Sequence, residues 1–108
     1  MFGLGLATKI YVAVEAVDMR KGFEGLYGLV RDRLGADPLS GHPFLISNRT
    51  RTRLKALAWD GSGPWVCAKR LEKGRFRWPK VEGRHSVIMR PEELAMLLNG
   101  SDEANPAA

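Results

Sequence analysis

The run Arg49-Thr50-Arg51-Thr52-Arg53-Leu54-Lys55 sets a cation at every second position. In a β-strand alternate residues share a face. Arg51, Arg53 and Lys55 are therefore expected along one side, with Arg49 extending the row from the preceding turn. Thr52, Leu54, Ala56 and Ala58 fall on the other side. Charges in such a row stand about 6–7 Å apart, close to the spacing of phosphates along one nucleic-acid strand. Phosphate recognition is the chemistry this pattern suits; a solvated face, or contact with a partner's acidic patch, is the alternative. A second cluster, Lys69-Arg70-Leu71-Glu72-Lys73-Gly74-Arg75-Phe76-Arg77-Trp78, places Lys69, Arg70, Lys73, Arg75 and Arg77 around a turn. Its aromatics either stack unpaired bases or anchor the loop to the core, and the second reading suits a small domain better.

The inventory for bond-making chemistry is short. His42 and His85 stand alone, without the spacing of a metal site. Cys67 lies among valine and alanine in a strand-like stretch and is expected to be buried rather than nucleophilic. Asp18 suits a helix cap and Asp60 a turn. An acidic set for metal-dependent phosphoryl transfer would have to be picked from scattered carboxylates. Gly3-Leu4-Gly5 opens no helix and is no phosphate loop. The residues read as a binding module rather than an enzyme, with no catalytic residue, metal ligand or cofactor assigned.

At 108 residues and 12.0 kDa the chain has room for one small core. One domain is expected over residues 1–100, with 101–108 as a disordered tail. A hydrophobic share of 44% and a charged share of 27% exclude wholesale disorder. No apolar run approaches the roughly 20 residues that span a bilayer. Met1-Phe2-Gly3-Leu4-Gly5-Leu6 lacks the positive segment of a signal peptide. A single cysteine permits no internal disulfide. These features lead to the expectation of a soluble, cytoplasmic protein with no membrane partner.

The net charge of +5 is unevenly spread. Residues 1–48 balance five basic against five acidic side chains, whereas residues 49–84 carry eleven basic and three acidic, net +8. Residues 85–108 are net −3. A basic block inside a folded domain points to a polyanion, most often nucleic acid.

The elements that must position these residues follow from periodicity. Residues 10–17 read as a buried strand. Phe23, Leu26, Tyr27, Val30 and Leu34 mark one face of a helix over 19–34, capped by Asp18 and ended at Gly35. Phe23, Tyr27 and Val30 are expected against Val12 and Val14, and the spacing of Gly22, Gly25 and Gly28 suggests close approach to a neighbour. Strands are expected over 42–48, 52–59, 64–71 and 86–89, with 75–78 as a candidate short strand. Residues 48–51 and 60–63 form turns. Trp59 and Trp65 are expected to pack across the hairpin. Pro91 starts a last helix closed by Asn99-Gly100. Strands joined by turn-length links pair antiparallel. The fold class is therefore α+β: an antiparallel sheet of four to six strands, a helix from the N-terminal half on one face, and a short C-terminal helix.

Several motifs in order carry a family resemblance over about residues 8–100. They are Val17-Asp18-Met19-Arg20-Lys21-Gly22-Phe23-Glu24-Gly25-Leu26, Asp37-Pro38-Leu39-Ser40-Gly41, Thr52-Arg53-Leu54-Lys55, Trp59-Asp60-Gly61-Ser62-Gly63, Lys69-Arg70-Leu71-Glu72-Lys73-Gly74-Arg75-Phe76 and Leu97-Leu98-Asn99-Gly100. In these the chain resembles TnpB (Orf2-like), the small accessory proteins of the insertion-sequence-66 family of bacterial transposons, which are distinct from the RNA-guided nucleases of the same name. The resemblance implies a cytoplasmic helper of transposition encoded beside a separate transposase. Members often carry Thr or Ser ahead of the last helix, where this chain has Arg90. The functions in view are a DNA-binding factor acting at the element's ends, and a protein–protein adaptor that holds the transposase or another helper.

Overall fold

The computed structural model describes residues 8–100. Five strands form one sheet in the order β4-β3-β2-β1-β5: β1 Ile10–Ala13, β2 Phe44–Ser47, β3 Arg53–Trp59, β4 Pro64–Arg70 and β5 Ser86–Met89. Helix α1, Phe23–Gly28, runs into a π-helical turn, Leu29–Arg33, and α2 spans Pro91–Asn99. The class is α+β as expected, and mostly antiparallel. The exception is β1 with β2, which are parallel. Their link is helix-length rather than turn-length, and a crossover of that kind returns the chain in the same direction.

Alternation along each strand divides the sheet into two apolar faces, and both are covered. On one, Ile10, Val12, Leu45, Leu54 and Ala56 pack with Leu94 and Leu97 of α2 and with Phe76 and Trp78. On the other, Ala13, Phe44, Ile46 and Leu57 pack with Leu26 and Val30 of the α1 region. Leu26 and Val30, each 1% exposed, anchor the helix, while Phe23 and Tyr27 are half-buried. Val12 belongs to the opposite face, which corrects the expected partners of α1.

Several boundaries also move. The first strand stops at Ala13 rather than at residue 17; the Val14 N–H still follows the β5 register onto the His85 carbonyl at 3.0 Å, and the Val17 N–H donates to that of Ser47 at 2.9 Å. The helix begins at Phe23 behind Gly22, not at residue 19. Asp18 instead closes a turn: its carboxylate accepts the Arg20 N–H at 2.9 Å and pairs with the Arg20 guanidinium at 2.9 Å. A Cβ on Gly22 or Gly28 would meet nothing within 4 Å, and on Gly25 only the Lys21 side chain, so these glycines mark no close approach. Gly100 does: at φ 71°, its Cβ would lie 2.7 Å from Leu71 Cδ1. Trp59 stands opposite Pro64 and Trp65 opposite Ala58, so the two indoles project to opposite sides of the sheet rather than toward one another. Trp65 Nε1 donates to Asp60 at 2.7 Å. The 75–78 stretch makes a bridge at Arg75 but no strand.

Pro91 opens α2 as expected. With Arg90 ahead of it, half of a capping box forms: Glu93 accepts the Arg90 N–H at 2.9 Å. A guanidinium has no acceptor to return the bond.

Candidate nucleic-acid interface

The loop before β3 is built by Asn48, whose Oδ1 accepts the amides of Thr52 at 3.0 Å and Arg53 at 3.1 Å. That closure forces Arg51 to φ 61°. A left-handed residue does not continue a strand's alternation, so Arg51 leaves the row expected of it. Its guanidinium turns inward, donating to the Val14 carbonyl at 2.9 Å and the Asn48 carbonyl at 3.3 Å. It also lies 5.3 Å from the centroid of the Trp78 ring. Burial holds the Arg51 pKa below its ordinary value. Arg51 is thus a structural cation, half-buried and committed to the fold.

Arg53 and Lys55 do share a face, that of α1, while Leu54 and Ala56 point to the α2 side. Arg53 is exposed. Lys55 is half-buried and its Nζ donates to the Lys21 carbonyl at 2.9 Å. The hairpin register adds what residue spacing alone did not: Arg70 stands directly opposite Arg53, and Ala68 opposite Lys55. These residues and Met19 line an open groove of about 330 Å³ beside α1. Lys69 lies on the other face, where its Nζ donates to the Leu98 carbonyl at 2.9 Å at the end of α2. That contact neutralises unpaired carbonyl charge at a helix C-terminus.

The second cluster meets the first through the backbone. Leu71 N–H donates to the Thr52 carbonyl at 2.9 Å, and Phe76 N–H to that of Arg51 at 2.8 Å. This places Lys73, Arg75 and Arg77 at the same end of the sheet as Arg49, Arg53 and Arg70. Along 75–78 burial alternates: Phe76 and Trp78 are 3% and 8% exposed, while Arg75 and Arg77 face out. Trp78 Nε1 donates to the Ala13 carbonyl at 2.7 Å. The aromatics therefore anchor the segment to the core, and only its cations meet solvent.

Several described carboxylates pair away from this end. Glu15 pairs with Arg33, Asp18 with Arg20, Asp32 with Arg31, and Glu92 and Glu93 with Arg90. Within the basic end, Arg70 reaches Glu72 at 3.5 Å, an exposed contact of small value. Arg49, Arg53, Lys73 and Arg77 make no ion pair with the described residues. These uncompensated cations concentrate positive charge at one end of the domain.

The other candidates have local duties. Asp60 accepts from the Ser62 amide and hydroxyl, the Gly63 amide and the Trp65 indole, and those bonds hold its carboxyl far below the usual range. Hydrogen bonds from Arg20 bring Asp18 to about 2. His42 Nδ1 accepts the Lys9 amide at 3.1 Å, and His85 lies 3.6 Å from Glu15. Cys67 is half-buried, on the α2 face of β4. Among the described residues no group of three or more His, Cys, Asp or Glu side chains could hold a metal ion. No helix among them is long and apolar enough to cross a membrane.

The family model described as IS66 Orf2 like protein matches residues 8–108. The chain is 39% identical over 102 residues to the uncharacterized protein y4jC of Sinorhizobium fredii (strain NBRC 101917 / NGR234), covering 94% of this chain and 86% of that one. It is 36% identical over 106 residues to the uncharacterized protein y4hO of the same strain, covering 98% and 91%. No solved structure matches it.

Proposed function

The chain belongs to the IS66 Orf2-like family, the accessory proteins of a class of bacterial insertion sequence, and we propose that its part in transposition is to hold DNA. The observation that carries this reading is the exposed Arg53–Arg70 pair, set directly across β3 and β4. Like charges placed opposite each other on one sheet face are destabilising. A bound phosphate relieves that repulsion, and Arg suits it because its planar fork bonds phosphate oxygens in pairs. Lys55 lines the same groove, and Arg49, Lys73, Arg75 and Arg77 add positive charge at this end of the sheet. Lys69 contributes field rather than direct contact, because its ammonium is held by α2.

Contacts of this kind position the protein on the duplex and carry little sequence information. The protein supplies no catalysis in this reading; cutting and joining fall to the separate transposase, and both work in the cytoplasm. A gel shift with the element's terminal repeats and with scrambled DNA, each at two salt concentrations, tests the proposal. Binding to both DNAs that falls steeply with salt is expected. Absence of DNA binding, with salt-insensitive capture of the transposase, would establish the adaptor role instead.

A further inference from the structure

Strand β4 ends the sheet, and among the described residues nothing pairs with its outer edge. The Leu71 N–H points to β3, onto the Thr52 carbonyl, and the Gly63 carbonyl accepts from Asp60. Backbone direction alternates along a strand, so Trp65, Cys67 and Lys69 also turn inward. Pro64, Val66, Ala68 and Arg70 therefore turn their backbone groups outward. Pro64, which has no N–H, occupies an outward position, where proline costs an edge strand nothing. The edge thus offers three donors and four acceptors in register. Its side chains are polarised: the first five residues are uncharged and the last two are Lys69 and Arg70.

We propose that this edge pairs antiparallel with the same edge of a second copy of the chain, about a two-fold axis at Cys67. In that register Val66 and Ala68 exchange both bonds with Ala68 and Val66 of the other copy. The Arg70 N–H meets the Pro64 carbonyl, so every outward donor finds an acceptor and the missing proline N–H is never called on. The uncharged half of each strand lies against the charged half of the other, so no cation faces a cation. Trp65, 43% exposed, comes opposite Lys69 at a non-hydrogen-bonded position, where side chains approach most closely. The Lys69 stem borders an apolar cavity of about 300 Å³ lined by Leu45, Leu54, Ala56, Cys67, Leu94 and Leu98. The second copy's indole is the apolar group that this pairing brings to its mouth. Directly opposite residues share a face, so the two-fold axis is perpendicular to the sheet. Both basic grooves then open on the same side of a ten-stranded sheet, though the pairing does not depend on their binding DNA.

Sedimentation of the full chain tests this. A dimer, of about twice the 12.0 kDa chain mass, is expected at about 100 µM. Ala68→Pro removes one outward donor and no bond to β3, and should weaken dimerisation at least tenfold while the far-ultraviolet dichroism is kept. Trp65→Lys sets Lys against Lys69 and should do the same; adding Lys69→Glu should restore the dimer. A short bis-maleimide should link Cys67 to Cys67 in the wild-type protein. A wild-type monomer at that concentration, or a dimer indifferent to all these changes, overturns the proposal. So does a monomer whose Val66, Ala68 and Arg70 amides resist hydrogen exchange, which would place another segment of the same chain on the edge.

Discussion

Arg53 on β3 and Arg70 on β4 face each other as direct cross-strand partners, both exposed, on the side of the sheet that carries α1. A stable hairpin gains nothing from this arrangement. It follows from the turn at Asp60 to Gly63, which fixes the register, and from apolar residues on the opposite face that cannot be turned outward. Replacing Arg70 by Glu converts a like pair into an opposite one. It should raise stability by about 0.2–1 kcal/mol in urea unfolding, while weakening DNA binding. A variant that is both less stable and fully competent to bind would mean that Arg70 serves the fold.

Arg51 should behave in the opposite way. Arg51→Ala removes two donated hydrogen bonds and a cation over Trp78, and leaves the Val14 carbonyl without its donor. A loss of about 2–3 kcal/mol is expected by chemical unfolding. At saturating folded fraction, the salt dependence of DNA binding should not change. Arg51→Gly should lose about 1 kcal/mol less than Ala, since glycine adopts the left-handed backbone without cost.

Gly28 sits in helical geometry, and a side chain there would meet open space. Gly28→Ala is expected to raise stability by about 0.5–1 kcal/mol, seen as a higher denaturant midpoint with an unchanged slope. Destabilisation would show that a neighbour packs against this position.

Acid should unfold the protein partly through Asp18 and Asp60. Both carboxyls are held below their ordinary values by hydrogen bonds made in the folded state, Asp18 at about 2. A depressed folded-state pKa gives stability that is present above the unfolded value, near 4, and lost as pH falls toward the folded one. The denaturant midpoint should therefore fall between about pH 4 and pH 2. In Asp60→Asn and Asp18→Asn the fall over that window should be shallower. An equally steep fall in both variants would assign acid sensitivity to other carboxylates.

The fold class, the apolar periodicity of the α1 region, the Pro91 helix start and the Asp60 turn were legible because each rests on local pattern. The parallel β1–β2 pair is not legible from local pattern, because a helix-length link joins the two strands and the antiparallel rule covers only turn-length links. Arg51 departs from the expected row for a local reason. Strand alternation does not run through Thr50 and Thr52, because Asn48 closes a loop that ends only at Arg53. Lys69 parts from its neighbour Arg70 because adjacent strand residues point to opposite faces. The Arg53–Arg70 pair lay within reach: counting outward from the Asp60 turn, residue by residue, brings the two together. Met19 carried no such signal, because the long segment between β1 and α1 brings it to the groove.

The central claim is that cations of the β3–β4 groove contact phosphate, and the salt slope of DNA binding tests it most directly. Arg53→Gln with Arg70→Gln removes two proposed contacts. The slope of log K against log salt should become shallower by about 1.8, at ~0.9 per contact on duplex DNA, with the fold intact and terminal-repeat preference unchanged. A folded double variant that binds the same DNA with the wild-type slope would contradict the account and remove this groove from the interface.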